Sequence, residues 1–240
     1  MSDGLRESLI AVYERMLSRY GPQGWWPGGP GFEMMVGAVL TQAASWVNVE
    51  SALANLRSAG ALTPRAIRAI PQDELARLVH PSGYYNAKAR KLKALAEYIG
   101  ERFDDDLDAM AHEDVDTLRN DLLGVYGIGE ETADDILLYA MGKPSFVVDA
   151  YTRRLFWRLG LAPAKGSYAG YRAPFMQHLP KDPRLFGEYH ALVVRHGKEV
   201  CKKEPVCEGC CLLEVCPTGQ DRTGGSASLA SSDSEEVKPV

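Results

Sequence analysis

The 240-residue sequence predicts an all-α fold. Three observations carry that expectation. Apolar residues recur at helical spacing along most of the chain. No segment alternates apolar and polar residues as a half-buried strand would. The periodic stretches are separated by short turns rich in Gly and Pro. Residues 5–20 place Leu5, Leu9, Ile10, Val12, Tyr13, Met16 and Leu17 on one helical stripe. The loop GPQGWWPGGPGF follows, and then residues 33–58, which read as one or two helices. Residues 63–80 read as a helix, with Thr63 as N-cap and Pro64 at the first helical position. The turn HPSGYYN leads into a helix over 86–103. Helices over 113–124 and 131–142 flank the short turn VYGIG, and helical patterns recur at 149–159 and 184–200. The last stretch is polar, low in complexity and acidic, so residues 218–240 are expected to lack structure.

Composition excludes some classes. Hydrophobic residues make up 45% of the chain, enough to bury a core. No apolar run approaches the ~20 residues that span a bilayer, so no membrane association is expected. The start MSDGLRESLI lacks the features of a secretory signal, and a cytoplasmic location is expected. Net charge is −5, of which −2 lies in residues 217–240. Nucleic-acid binding would therefore have to come from a local basic surface.

All five cysteines lie between residues 201 and 216, with the spacing Cys201-x5-Cys207-x2-Cys210-x5-Cys216 and Cys211 left over. Cysteines so concentrated read as metal ligands and not as a disulfide framework. Zinc and an iron–sulfur cluster both suit four thiolates. Only one close Cys-x2-Cys pair is present, and four thiolates on one short loop suit a cubane cluster better than a zinc ribbon. Lys198, Lys202 and Lys203 surround the loop, which a cluster would hold rigid and aim at phosphates.

The segment LLGVYGIGEETADDILLYAMG reads as helix, turn, helix. Gly127 and Gly129 allow torsions that side chains block, and Ile128 would pin the turn to the core. Backbone amides of such a turn can contact a phosphate without reading sequence. The acids Glu130, Glu131, Asp134 and Asp135 suit a helix start but oppose a phosphate unless their side chains point away. Further on, Asp149 follows the apolar run Phe146-Val147-Val148 and precedes a helix. It suits an N-cap, and its place just beyond a glycine hairpin suits a catalytic carboxylate.

Taken together, the GIG hairpin, VVDAYTRR and HGKEVCKKEPVCEGCCLLEVC resemble the endonuclease III family of helix-hairpin-helix DNA glycosylases, over residues 30 to 217. WWPGGPGFE, GAVLTQ and HPSGYYNAKARKL resemble the bacterial 3-methyladenine glycosylases of that type. The resemblance implies a two-lobed helical fold with a four-iron, four-sulfur cluster, binding double-stranded DNA across a cleft with the damaged base flipped out. It implies a lobe of residues 1–30 plus 145–217, with the cluster loop at 198–217. The second lobe would be a bundle over 31–144, with its hairpin at 118–142. It gives Asp149 the catalytic role and Cys201, Cys207, Cys210 and Cys216 the cluster. Gln42 would fill the gap left by the flipped base, and Tyr84 would stand where the family places an apolar wedge. Trp25 and Trp26 would line the base pocket, stacking on an electron-poor alkylated purine.

Glu131 stands where bifunctional members carry a nucleophilic lysine, and a carboxylate cannot form a Schiff base. The expected activity is therefore monofunctional hydrolysis of the N-glycosidic bond, by a monomer acting on alkylated purines. Two rivals stand beside it. One is an endonuclease III-like glycosylase and lyase acting on oxidised pyrimidines or abasic sites through another lysine. The other is a non-catalytic DNA-binding member of the family.

Overall fold

The computed structural model describes residues 2–24, 31–163 and 165–230. Trp25 and Trp26, the expected pocket tryptophans, lie outside the described residues. Among those described there is no strand, and the α-helices are thirteen in number. They run α1 Ser2–Tyr20, α2 Phe32–Thr41, α3 Trp46–Ser58, α4 Pro64–Ala69, α5 Gln72–Leu78, α6 Tyr85–Phe103 and α7 Leu107–His112. After these come α8 Val115–Gly124, α9 Glu130–Asp135, α10 Ala150–Arg158, α11 Tyr168–His178, α12 Pro183–Glu199 and α13 Pro217–Ala230. A 3-10 turn at His80–Ser82 precedes α6, and a π segment at Ile136–Ala140 continues α9. None of these helices is long and apolar enough to cross a membrane.

The chain divides into two compact units. One comprises Trp25–Val147 and Lys181–Gly187. Its core gathers Met35, Val39 and Leu40 of α2, Leu53 and Leu56 of α3, Leu92, Leu95 and Ile99 of α6, and Leu118 and Leu122 of α8. Burying each such side chain stabilises the unit by ~1.5–3 kcal/mol. Arg68 fastens α4 to the far end of α6 through two bonds to Asp105, at 2.6 and 2.7 Å. Gly100 makes that possible, since a Cβ there would meet the guanidinium at 2.5 Å. The other unit comprises Met1–Gly24, Val148–Pro180 and Glu188–Val240. Its core includes Leu9, Val12 and Met16 of α1. A ring cluster joins α10, α11 and α12, with Phe156–Phe175 centroids at 4.8 Å and Phe175–Tyr189 at 5.7 Å.

The stretch 33–58, expected as one or two helices, is two, broken at residues 42–45, where Ala43 adopts a φ of 52°. Other expectations need correction. The stretch 63–80 also divides, because Pro71 forces the residue before it out of helical torsions; Ile70 sits at ψ 134°. Helix α11 was not expected: Gly170 and Pro174 mask its pattern, and Ser167 caps it through a bond from the Gly170 amide at 3.1 Å. The tail expected to be unstructured from residue 218 is helical to Ala230. Its first turn is tied down by Thr218, whose hydroxyl donates to the Arg158 carbonyl at 3.0 Å. Residues 181–187 group with the bundle and not with the terminal lobe. Phe186 packs edge-on against Phe146, with centroids 5.5 Å apart.

Candidate functional site

Asp149 is the N-cap of α10. One of its oxygens, Oδ1, accepts from the Thr152 amide at 2.7 Å and from the Thr152 hydroxyl at 2.8 Å. The other, Oδ2, faces Nε2 of His190 on α12 at 3.7 Å, an ion-pair distance longer than a hydrogen bond. Both side chains are largely buried, at 14% and 5% exposure. Burial by itself would raise the carboxyl pKa. The interaction with His190 and the two Thr152 bonds outweigh burial and hold it below the ordinary carboxylate range. The cap role and a carboxylate held in its charged form thus coexist in one residue. His190 was missed by sequence reasoning, because it lies 41 positions away on an amphipathic helix and carries no local signal.

The bundle unit carries the hairpin. Gly127 has a φ of 80°, and a Cβ there would stand 2.4 Å from Cγ of Lys91, so glycine is required on two counts. Ile128 is buried between the two glycines, and the extended Gly129 caps α9. The acids of α9 divide. Asp134 is fully buried and turned toward Arg119, which donates to it at 2.8 and 3.1 Å, and the Ser145 hydroxyl bonds it as well. Asp135 is buried too, whereas Glu130 and Glu131 are exposed. Half of the charge expected to oppose a phosphate is therefore removed from the surface.

Gln42 caps the C-terminus of α2 and reaches the hairpin. Its amide nitrogen donates to the Gly127 carbonyl at 3.2 Å and to the Thr132 hydroxyl at 2.9 Å, while its oxygen accepts from Nζ of Lys91. Tyr84 stands at the start of α6 with a φ of 46° and a side chain 74% exposed. The left-handed backbone, costly for a bulky residue, is what sets Tyr84 apart from other exposed aromatic residues such as Tyr126 and Trp157. Gln42, Lys91, Gly127 and Thr132 thus form one connected group. Lys91 was not singled out from the sequence, since its spacing matches any solvated helix lysine.

In the terminal unit, Cys201, Cys207, Cys210 and Cys216 line one small cavity together with Arg158, His196 and Leu212. Donors surround their sulfurs. Arg158 reaches Sγ of Cys201 at 3.3 Å, the Leu212 amide reaches Cys210 at 3.4 Å, and the Gly219 amide reaches Cys216 at 3.4 Å. The Tyr20 hydroxyl meets Nδ1 of the buried His196 at 2.8 Å, and Nε2 of that ring lies 3.7 Å from Sγ of Cys210. When the hydroxyl donates, Nε2 carries the proton and points at sulfur. Such donors suit negatively charged thiolates. Among the described residues, no three His, Cys, Asp or Glu side chains converge as the ligands of a single ion would. Lys198, Lys202 and Lys203 are exposed. Arg158 braces their loop through the carbonyls of Lys202 and Lys203, at 2.6 and 2.8 Å.

Comparison with known proteins agrees with this architecture. Residues 36–181 match the family described as HhH-GPD superfamily base excision DNA repair protein. A Methanocaldococcus jannaschii protein, provisionally named a DNA repair glycosylase, is 43% identical over 90% of this chain and 99% of its own. The H. pylori 3-methyladenine DNA glycosylase bound to 1,N6-ethenoadenine superposes with a TM-score of 0.70 at 30% identity, covering 81% of this chain and 97% of that one. A trapped endonuclease III–DNA covalent intermediate superposes with a TM-score of 0.78 at 23% identity, covering 91% and 98%, and shares the fold. The chain belongs to the HhH-GPD superfamily and is a DNA glycosylase of the endonuclease III type.

Proposed function

We propose that this glycosylase removes alkylated purines of the 3-methyladenine kind from double-stranded DNA, as a monomer and without cutting the strand. The observation that carries the reading is Asp149, a largely buried carboxylate kept ionised by Thr152 and His190. Flipping the base costs a few kcal/mol, least for a damaged one. As the bond from sugar C1′ to the base nitrogen breaks, its electron pair leaves with the base and positive charge gathers on the sugar. Asp149 stabilises that charge and accepts a proton from the water that adds to C1′. An alkylated purine already carries positive charge and leaves without a strong acid.

Three further points support the reading. The H. pylori enzyme, whose name gives 3-methyladenine as its target, is 30% identical to this chain. Glu131 at the position of the nucleophilic lysine argues for water as the attacking group. The pair Trp25 and Trp26 suits stacking on a cationic ring. The hairpin 127–129 would grip the phosphate backbone, Lys198, Lys202 and Lys203 would add contacts, and Gln42 and Tyr84 would probe the base stack.

Cys201, Cys207, Cys210 and Cys216 would hold a four-iron, four-sulfur cluster. All four sulfurs line one cavity, and the surrounding N–H donors suit cluster thiolates. When bound, the cluster would fasten the 201–216 loop and leave the glycosidic chemistry to the protein.

The test is a panel of duplexes bearing alkylated, oxidised, deaminated or abasic sites, assayed with and without alkali. The expected result is release of the alkylated purine with strand scission only after alkali. Preferential release of oxidised pyrimidines, or scission without alkali, would favour the endonuclease III-like rival. No release from any lesion, with binding retained, would favour the non-catalytic one.

A further inference from the structure

Lys88 is 1% exposed, and its ammonium group donates to two carbonyls: Leu40 at 2.8 Å and Ser82 at 2.6 Å. Burying a lysine is costly, and here both bonds go to neutral acceptors instead of a carboxylate. An apolar side chain would fill the same space without desolvating a charge, but it would leave both carbonyls unbonded. Those carbonyls belong to helix ends. Leu40 lies in the last turn of α2 and presents the negative end of that helix dipole to the cation, while Ser82 closes the three-residue 3-10 turn. Burial and the neighbouring Lys91 lower the Lys88 pKa to about 8. A neutral amine would still keep two N–H groups, one for each carbonyl.

The two segments joined are 42 residues apart in sequence. One ends at Gln42, two positions after Leu40. The other leads through Gly83 to Tyr84, two positions after Ser82. On its far side Tyr84 is held by the first backbone bond of α6, from the Lys88 amide to the Tyr84 carbonyl at 2.9 Å, which any residue at 88 would make. The left-handed Tyr84 thus lies between that bond and the Lys88 side chain's bond to Ser82, and such backbone strain persists only where the surroundings over-determine it. One turn further along α6, Lys91 binds the Gln42 side chain. Helix α6 therefore controls both probing side chains.

We propose that Lys88 is a positioning residue that couples Tyr84 to Gln42, so that the two enter the duplex together. The inference rests on the reading of those side chains as probes, but not on which lesion is excised. The test therefore uses a duplex with a tetrahydrofuran abasic analogue opposite 2-aminopurine, whose fluorescence reports unstacking without any chemistry. Wild-type protein is expected to change the signal. Lys88→Met should lose most of that change while binding undamaged duplex as wild type does. Combining Gln42→Ala with Tyr84→Ala should depart from multiplied single effects by at least about threefold in wild type, and by less in Lys88→Met.

Thermal unfolding shows whether Lys88→Met folds. Should it not, Lys88→Arg decides, since it keeps charge and donors but moves them. A normal signal with unchanged coupling in the folded variant overturns the inference alone. An unchanged signal with wild-type protein overturns the reading of Tyr84 and Gln42, and the inference with it.

Discussion

Both Thr152 donors fall on one oxygen of Asp149, which leaves the second oxygen to face His190. The carboxylate is divided between two tasks. Oδ1 satisfies an orphan amide at the start of α10, and Oδ2 stays available to a partner beyond the helix. This division explains how a helix cap can also be proposed as the group that meets the sugar.

Asp149→Asn keeps an oxygen for the cap and removes the charge. The variant should fold and bind damaged DNA but lose roughly 10²–10⁴-fold in single-turnover base release. Release at the wild-type rate would remove Asp149 from the chemistry.

Acid sensitivity follows from the same residue. The Asp149 pKa is depressed in the folded state, so its contribution to stability is complete above the unfolded value near 3.8. That contribution is lost as pH falls through the lower folded value. The stability difference between wild type and Asp149→Asn should therefore be flat at neutral pH and shrink below about pH 4. Denaturant titrations across that range measure it. A difference that grows toward acid would contradict the assigned direction.

Borohydride should trap no covalent complex between the wild-type protein and a lesion-bearing duplex, because Glu131 offers no amine. A trapped adduct, mapped by mass spectrometry to any lysine, would restore the lyase reading.

Gly127→Ala should cost about 1–3 kcal/mol of stability, from the positive φ alone. It should also push Lys91 away from Gln42, since the new methyl group stands 2.4 Å from the lysine Cγ. Weaker binding to undamaged DNA is the functional readout, and unaltered affinity would count against a backbone grip at this turn.

Anaerobically purified protein should be brown, absorb near ~400 nm and contain about four iron atoms per chain. Cys201→Ser should lower that content and destabilise the terminal unit. One zinc and no iron would establish the mononuclear alternative.

Much of this protein was legible in its sequence. Period-3.6 patterning marked most helices, since burial of one face repeats with the helix itself. The GIG turn, Asp149 and the cysteine spacing are local motifs, and local motifs survive in one dimension. Helix α11 was hidden because Pro174 and Gly170 dilute its pattern, and the start of α13 because its anchor, Arg158, lies 60 residues upstream. Only the tertiary structure brought His190 to Asp149, turned Asp134 inward to Arg119 and set Lys88 between Leu40 and Ser82. Sequence determined which residues could cap, ligate or turn, because those properties belong to short stretches of chain. Packing decided which distant partners tune them, because burial and hydrogen bonding between remote residues arise only once the helices have docked.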